Sequence, residues 1–271
     1  MKFLLIFLFC FSIFLKAQAG NKNFSGFKLY NSDNPHNLEP ISEKYKGKTP
    51  KINLDNGDDL KIIIFSHGTG RPQKREDCTK KYNQIPKSLA FLAEMDNTFF
   101  YYLCSKATDK GVTGSFVYKR KKEINNVLDQ LISLGVKPKN IFLTGFSAGG
   151  WTSLMMMDQV DKKFNSAIVF APAFAGPRSE TNKYPQWRKV ERPRQIKKMI
   201  EVKNIKALIF AYEDDKFNRP KELDFLIKKY PNSVKLVGYN CGKGHNTMNN
   251  DCKGSETKKI IKNFFNEQLD N

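Results

Sequence analysis

Residues 141–150 are Ile-Phe-Leu-Thr-Gly-Phe-Ser-Ala-Gly-Gly. Their first four positions predict an apolar β-strand, which runs through a Gly-x-Ser-x-Gly pattern into a predicted helix over 151–159. This pattern is typical of a nucleophile elbow, a strained strand-to-helix turn that exposes a serine hydroxyl beyond the strand end. We therefore predict that Ser147 is a nucleophile. The amide of Ala148, at the start of the helix, is a predicted oxyanion donor.

A glycine-rich turn follows an earlier apolar strand and predicts the second oxyanion donor. The strand covers residues 60–66, and its three isoleucines are typical of a parallel strand buried on both faces. The turn is His67-Gly68-Thr69-Gly70, and its position upstream of the elbow favours the amide of Thr69 as donor. His67 is an alternative general base, but we interpret it as a residue that orders the turn through hydrogen bonds.

The chain holds 3 histidines, and only His245 follows the elbow. A predicted strand over 205–211 leads into the acidic turn 213–215, and a predicted strand over 233–237 precedes His245. The resulting order of serine, acid and histidine is the one that accompanies this type of elbow. The sequence therefore predicts a catalytic triad in which three adjacent carboxylates compete for the role of the acid.

The remaining apolar patterns alternate between helices and strands, which indicates the α/β class with a mostly parallel sheet. Helices are predicted over 85–95, 118–134, 194–202, 219–230 and 256–269, and further strands over 98–104 and 166–170. Residues 173–193 are predicted to be irregular, either as a short lid over the site or as a surface loop.

The N-terminus predicts a secretory signal peptide over residues 1–19. Lys2 precedes an apolar run over 3–15, and Ala17-Gln18-Ala19 matches a cleavage site. The run is too short for a comfortable membrane span, although an uncleaved anchor is the alternative. Residues 20–271 are then expected to form a single catalytic domain without a stable membrane anchor, in a secreted or periplasmic protein.

Four cysteines follow the predicted leader, namely Cys78, Cys104, Cys241 and Cys252. An even number in an exported chain favours two disulfides. All three connectivities are open, and we favour Cys78 with Cys104 and Cys241 with Cys252, the second pair closing a short loop around His245. No Cys-x-x-Cys pair is present, which disfavours zinc binding.

The formal net charge is +19, from 46 basic and 27 acidic residues. The lysines and arginines are spread over several clusters, including residues 119–122, which we interpret as solvated faces. No nucleic-acid motif accompanies them, so no nucleic-acid partner is expected.

These motifs resemble the α/β-hydrolase fold superfamily, specifically small secreted esterases of the dienelactone hydrolase-like and polyester depolymerase-like kind. The resemblance covers residues 60–269 and is carried by 66–70, 145–150, 211–215 and 244–245. It implies the α/β-hydrolase fold, a mostly parallel central sheet with helices on both faces, and hydrolysis at a carbonyl.

In such families the acid commonly stands three residues after a small residue that ends the strand. Tyr212 occupies the place of that small residue here. Counting from it selects Asp215, and Asp214 stays the alternative.

We therefore expect a serine hydrolase that cleaves carboxylic esters through Ser147, His245 and Asp215, without a metal or organic cofactor. The expected partner is a small-molecule or polymeric ester substrate. Two alternatives stay open, an amidase or peptidase with the same triad and a non-catalytic binding protein on a hydrolase scaffold.

Overall fold

The computed structural model describes residues 25–28, 38–39, 59–69, 80–105, 107, 114–174, 177–183, 185–250 and 252–270. The predicted signal peptide 1–19 and Cys78 lie outside the described residues. The signal peptide and the disulfide between Cys78 and Cys104 therefore stay predictions.

Within the described ranges, one sheet of 8 strands forms the centre of the fold, in the order β2-β1-β4-β3-β5-β6-β7-β8. The strands are β1 Gly26–Lys28, β2 Leu38–Glu39, β3 Lys61–Ser66, β4 Thr98–Leu103, β5 Ile141–Phe146, β6 Ser166–Phe170, β7 Ala207–Tyr212 and β8 Val234–Tyr239. Strands β3 to β8 pair in parallel, and β1 pairs antiparallel with both β2 and β4. The predicted mostly parallel sheet is confirmed.

The helices are α1 Lys87–Ala90, α2 Phe116–Ser133, α3 Ala148–Met155, α4 Arg192–Ile200, α5 Asp224–Lys229 and α6 Gly254–Asp270. Apolar residues of α2, α3, α4 and α5 belong to one core cluster, and those of α1 and α6 belong to a second. The side chains of Ile62 and Ile63 alternate between the two clusters, and both are fully buried. Helices therefore cover both faces of the sheet, as the α/β-hydrolase fold predicts.

The largest departure from the sequence prediction is in residues 173–193, which are not wholly irregular. They include a 3-10 turn at Arg178–Glu180 and a π-helical turn at Gln186–Glu191 that continues into α4. Helix α4 starts two residues before the predicted start at 194 because Pro193 lies in its first turn, where a missing amide hydrogen costs nothing.

Two other predicted helices are shorter and mixed. Residues Phe91–Glu94 form a 3-10 turn after α1, and Pro220–Leu223 form one before α5. The predicted loop around His245 holds a 3-10 turn at Gly244–Asn250. Short 3-10 turns carry no distinct apolar period, so the helical spacing in the sequence could not separate them from α-helix.

The start of α3 packs closely against the ends of two strands. A Cβ atom on Gly149 would lie 2.0 Å from the Ser66 carbonyl oxygen, at the end of β3. A Cβ atom on Gly145 would lie 2.6 Å from the Gly149 carbonyl carbon. The two glycines therefore let the helix begin directly against the ends of β3 and β5.

We predict that Gly149→Ala lowers the free energy of unfolding by about 3 kcal/mol or more, because the added methyl group overlaps backbone that cannot move aside. Gly238→Ala is the matched control, since its Cβ would first meet the Pro220 ring at 3.2 Å on an exposed strand. We expect its effect to stay below about 1 kcal/mol. Urea unfolding measures both, and equal effects would contradict the packing argument.

Candidate active site

Ser147 lies between β5 and α3 in a backbone conformation that L-residues rarely adopt, with φ 54° and ψ −119°. Three backbone hydrogen bonds hold it there. Its amide donates to the Phe170 carbonyl oxygen at 3.0 Å, and its own carbonyl oxygen accepts from Trp151 at 2.9 Å and Ala173 at 3.0 Å. The serine therefore has the strained turn that the Gly-x-Ser-x-Gly pattern predicts.

His245 lies in the 3-10 turn after β8 and contacts both Ser147 and Asp215. The His245 Nε2 to Ser147 Oγ distance is 2.8 Å, and the Nδ1 to Asp215 Oδ2 distance is 2.8 Å. Because a carboxylate only accepts, Nδ1 donates to Asp215, and Nε2 of the neutral ring accepts from the serine hydroxyl. The geometry allows His245 to take the serine proton.

The two aspartates of the acidic turn have different partners. The side chain of Asp215 is fully buried, and its Oδ1 accepts the Phe217 amide at 2.6 Å. Asp214 Oδ2 instead accepts the Gly244 amide at 2.6 Å, at the start of the turn that carries His245. The structure thus brings Asp215 to the imidazole and Asp214 to the neighbouring backbone.

Buried negative charge also affects the tyrosine that precedes this turn. Burial raises the pKa of Tyr212, and the negative charge of Asp215 and the nearby Tyr239 raise it further. Tyr212 therefore stays protonated and neutral at physiological pH.

Aromatic rings flank the imidazole of His245. The ring centroids of Phe217 and Phe146 lie 4.3 Å and 5.0 Å from the His245 centroid. Cys241 and Cys252 bracket the turn at disulfide bonding distance, with a Cα–Cα distance of 6.0 Å. The histidine is therefore held by packing and by a constrained loop as well as by hydrogen bonds.

Ser147 opens into a cavity of about 220 Å³. The cavity is lined by Thr69, Ser147, Ala148, Ala173, Phe174, Pro177, Glu180, Trp187, Lys216 and Phe217. The two predicted oxyanion donors, Thr69 and Ala148, thus share the cavity with the serine. Five lining residues come from 173–193, so this segment forms a wall of the cavity, and its role as a lid stays a prediction.

Hydrogen bonds fix His67 in the turn that carries Thr69. Its Nε2 accepts the Ser105 amide at 3.1 Å, and its Nδ1 contacts the Gly68 carbonyl oxygen. The Arg120 guanidinium donates to the His67 carbonyl oxygen at 2.6 Å. With both ring nitrogens occupied and 1% of the residue exposed, His67 orders this turn, in agreement with its interpretation from sequence.

The burial of Arg120 was not predicted from the sequence, in which residues 119–122 were interpreted as part of a solvated face. It is only 3% exposed and lies on the core side of α2. The available signal was its spacing, because Arg120 falls four residues before Ile124 and seven before Val127, on the apolar stripe of the helix.

Within the described ranges, no group of three or more His, Cys, Asp or Glu side chains could hold a metal ion. In the same part of the chain, no helix has the length and hydropathy needed to cross a bilayer.

A family model described as phospholipase/carboxylesterase matches residues 49–191 of the chain. The chain belongs to this family of α/β-hydrolases. It is a serine hydrolase of the esterase type. No curated protein matches its sequence.

Solved structures of esterases have the same fold. Thermogutta terrifontis esterase Est2 with bound butyrate is 18% identical, with a TM-score of 0.55 over 77% of this chain and 83% of that one. The same organism's esterase 2 phosphonylated by sarin is also 18% identical, with a TM-score of 0.56 over 77% and 84% of the two chains. Est1E from Butyrivibrio proteoclasticus with bound ferulic acid is 18% identical, with a TM-score of 0.55 over 80% and 92%.

We predict that replacing both Cys241 and Cys252 by serine lowers the free energy of unfolding by about 2–3 kcal/mol, because the bridge spans 11 residues. Ester turnover should fall as well, since His245 lies inside this loop. Thermal unfolding with and without a reductant measures the first effect, and the double variant should respond to the reductant less than the wild type. Peptide mapping that finds both cysteines as free thiols would contradict the bridge.

Proposed function

We propose that this serine hydrolase is a secreted esterase that cleaves carboxylic esters through a Ser147–His245–Asp215 triad and an acyl-enzyme. The observation that carries the proposal is the continuous hydrogen-bond chain from Ser147 Oγ through the imidazole to Asp215, with both distances at 2.8 Å. Such a chain lets one imidazole act first as a base and then as an acid.

In the proposed reaction Ser147 Oγ attacks the ester carbonyl carbon while His245 Nε2 takes the hydroxyl proton. His245 then returns this proton to the leaving alcohol, and the acyl group stays on the serine. A water molecule, deprotonated by the same imidazole, releases the acid and regenerates the enzyme. Asp215 holds the tautomer that has its proton on Nδ1 and stabilises the imidazolium.

The amides of Thr69 and Ala148 are the proposed oxyanion donors. Both residues line the cavity beside Ser147, and Ala148 is the first residue of α3. The helix dipole adds positive potential at this end of α3. Donors fixed in the folded state stabilise the charge that develops on the carbonyl oxygen without reorganising.

The size of the cavity favours an ester substrate that has a short acyl chain or another small group next to the ester bond. Its volume of about 220 Å³ is below the usual range of pockets that bind drug-sized ligands. Its lining includes the aromatic side chains of Phe174 and Trp187, and Trp187 is only 2% exposed. Thermogutta terrifontis Est2, which has the same fold, was solved with bound butyrate, and this supports the proposal of a short acyl group here.

Secretion is supported by the predicted leader and by the cysteines. The Sγ atoms of Cys241 and Cys252 lie at bonding distance, and persistent disulfides form in oxidising compartments. We therefore propose that the protein acts in the periplasm or outside the cell.

Ser147 is the proposed nucleophile, and its removal should abolish the reaction. The purified protein should hydrolyse p-nitrophenyl acetate, and a fluorophosphonate should label Ser147. Ser147→Ala should lose the label and lower kcat on the order of 10⁵-fold or more, while the far-UV circular dichroism spectrum stays unchanged. Retained turnover in this variant would reject Ser147 as the nucleophile.

The catalytic roles of the two aspartates can be separated by isosteric substitutions. Asp215→Asn should lower kcat for p-nitrophenyl acetate on the order of 10⁴-fold, because the amide cannot stabilise the imidazolium. Asp214→Asn is the isosteric control and should lower kcat less than about tenfold, since its partner is the Gly244 amide. A larger loss in Asp214→Asn than in Asp215→Asn would reverse the assignment.

A further inference from the structure

Three successive carbonyl oxygens next to the proposed acid accept hydrogen bonds from one distant segment. We call residues 215–218 the acid loop and residues 177–183 and 185–192 together the covering segment. The Arg178 guanidinium donates to the Asp215 carbonyl oxygen at 2.6 Å, and the Arg178 amide donates to Lys216 at 3.0 Å. The Arg188 guanidinium donates to the Phe217 carbonyl oxygen at 2.6 Å. The covering segment therefore donates a hydrogen bond to the backbone of the acid loop at each of these three positions.

The guanidinium of Arg178 is itself oriented by a carboxylate. Glu222 Oε2 accepts from Arg178 Nη1 at 2.9 Å and from the Arg219 amide at 2.7 Å. Arg192 Nη2 donates to the Glu222 carbonyl oxygen at 2.9 Å. Two arginines of the covering segment are thus fixed to the turn that follows the acid loop, which limits their rotamer freedom.

The position of Arg188 is electrostatically costly. Burial, together with the nearby Arg192 and Arg178, lowers the pKa of Arg188 to about 10, although Glu222 and Asp215 oppose the shift. Half-buried cations in such proximity repel one another, and a surface position would avoid this cost. The compensating contact is the charge-assisted hydrogen bond to the Phe217 carbonyl oxygen.

Two of the three residues that accept these hydrogen bonds, Asp215 and Phe217, contact the imidazole of His245. The Phe217 amide donates to Asp215 Oδ1 at 2.6 Å, and the Phe217 ring lies 4.3 Å from the His245 ring. A shift of the Phe217 backbone would therefore move the ring that packs on His245 and release the Asp215 carboxylate. Misplacement of a reacting group by about 1 Å costs on the order of 100-fold in rate.

We propose that Arg178 and Arg188 are positioning residues, which hold the acid loop so that Asp215 and Phe217 fix the imidazole of His245. The proposal rests on the proposed function, because it assigns the acid role to Asp215. It also gives the covering segment a second role, since residues of the same segment form a wall of the cavity.

The test compares Arg178→Gln and Arg188→Gln with the wild type in hydrolysis of p-nitrophenyl acetate. Each variant should lower kcat about 10- to 100-fold while KM changes less than about threefold, because neither arginine lines the cavity. Arg194→Gln is the matched control. It also removes one positive charge, but its side chain lies on α4, is 59% exposed and pairs with Glu191. Its kcat should stay within about twofold of the wild type.

A double-mutant cycle separates positioning from a general loss of structure. If Arg188 acts through Asp215, adding Arg188→Gln to Asp215→Asn should cost less than about threefold in the rate of fluorophosphonate labelling. A merely structural role would give the same loss in both backgrounds. Arg188→Lys keeps a cationic donor and should have a kcat between those of Arg188→Gln and the wild type.

The outcomes also separate this proposal from the proposed function. A folded wild type that neither turns over esters nor labels at Ser147 would overturn the proposed function, and this proposal with it. An active wild type with equally active Arg178→Gln and Arg188→Gln variants would overturn this proposal alone. Equal losses of labelling rate from Arg188→Gln in the wild-type and Asp215→Asn backgrounds would also overturn this proposal alone.

Discussion

The contact between the first turn of α3 and the end of β3 is the constraint on which the rest of the site depends. With glycine at position 149, the helix backbone approaches the Ser66 carbonyl oxygen more closely than any side chain would allow. The chain reaches that contact from β5 only through a turn in which Ser147 has a φ of 54°. Strain at one residue therefore sets the direction of the hydroxyl and places the start of the helix beside the Thr69 turn.

The parallel sheet extends this constraint to the other site residues. Ser147, Asp215 and His245 each follow the C-terminal end of a parallel strand, so the continuous pairing from β5 to β8 puts them along one edge. The loops beyond the strand ends are then fixed by hydrogen bonds between segments far apart in sequence. Asp214 is joined to Gly244, Arg188 to Phe217 and Arg120 to His67. The rigid sheet brings the site residues to the same edge, and the hydrogen bonds between loops then fix their exact positions.

The parts of the fold that could be predicted are those with a local signal. Buried strands such as Ser166–Phe170 are continuous apolar runs, and their bounds agree with the prediction. The contacts of these arginines could not be predicted in the same way, because Arg120, Arg178 and Arg188 all donate to carbonyl oxygens of distant loops, even though Arg178 also pairs with Glu222. A carbonyl acceptor leaves no mark in the sequence, whereas an acidic partner can be noticed. The π-helical turn at 186–191 and the first two residues of α4 were missed, because residues 173–193 were predicted to be irregular.

Turnover through an acyl-enzyme requires Ser147 to carry the acyl group of the substrate. The most direct test is to quench the enzyme in acid during hydrolysis of p-nitrophenyl butyrate, measure its intact mass and map the adduct by peptide sequencing. We expect a mass increase equal to one butyryl group in place of a hydrogen on the peptide that contains Ser147, and no such adduct in Ser147→Ala. An enzyme that turns over without any acyl adduct, or with the adduct on another residue, would contradict the account.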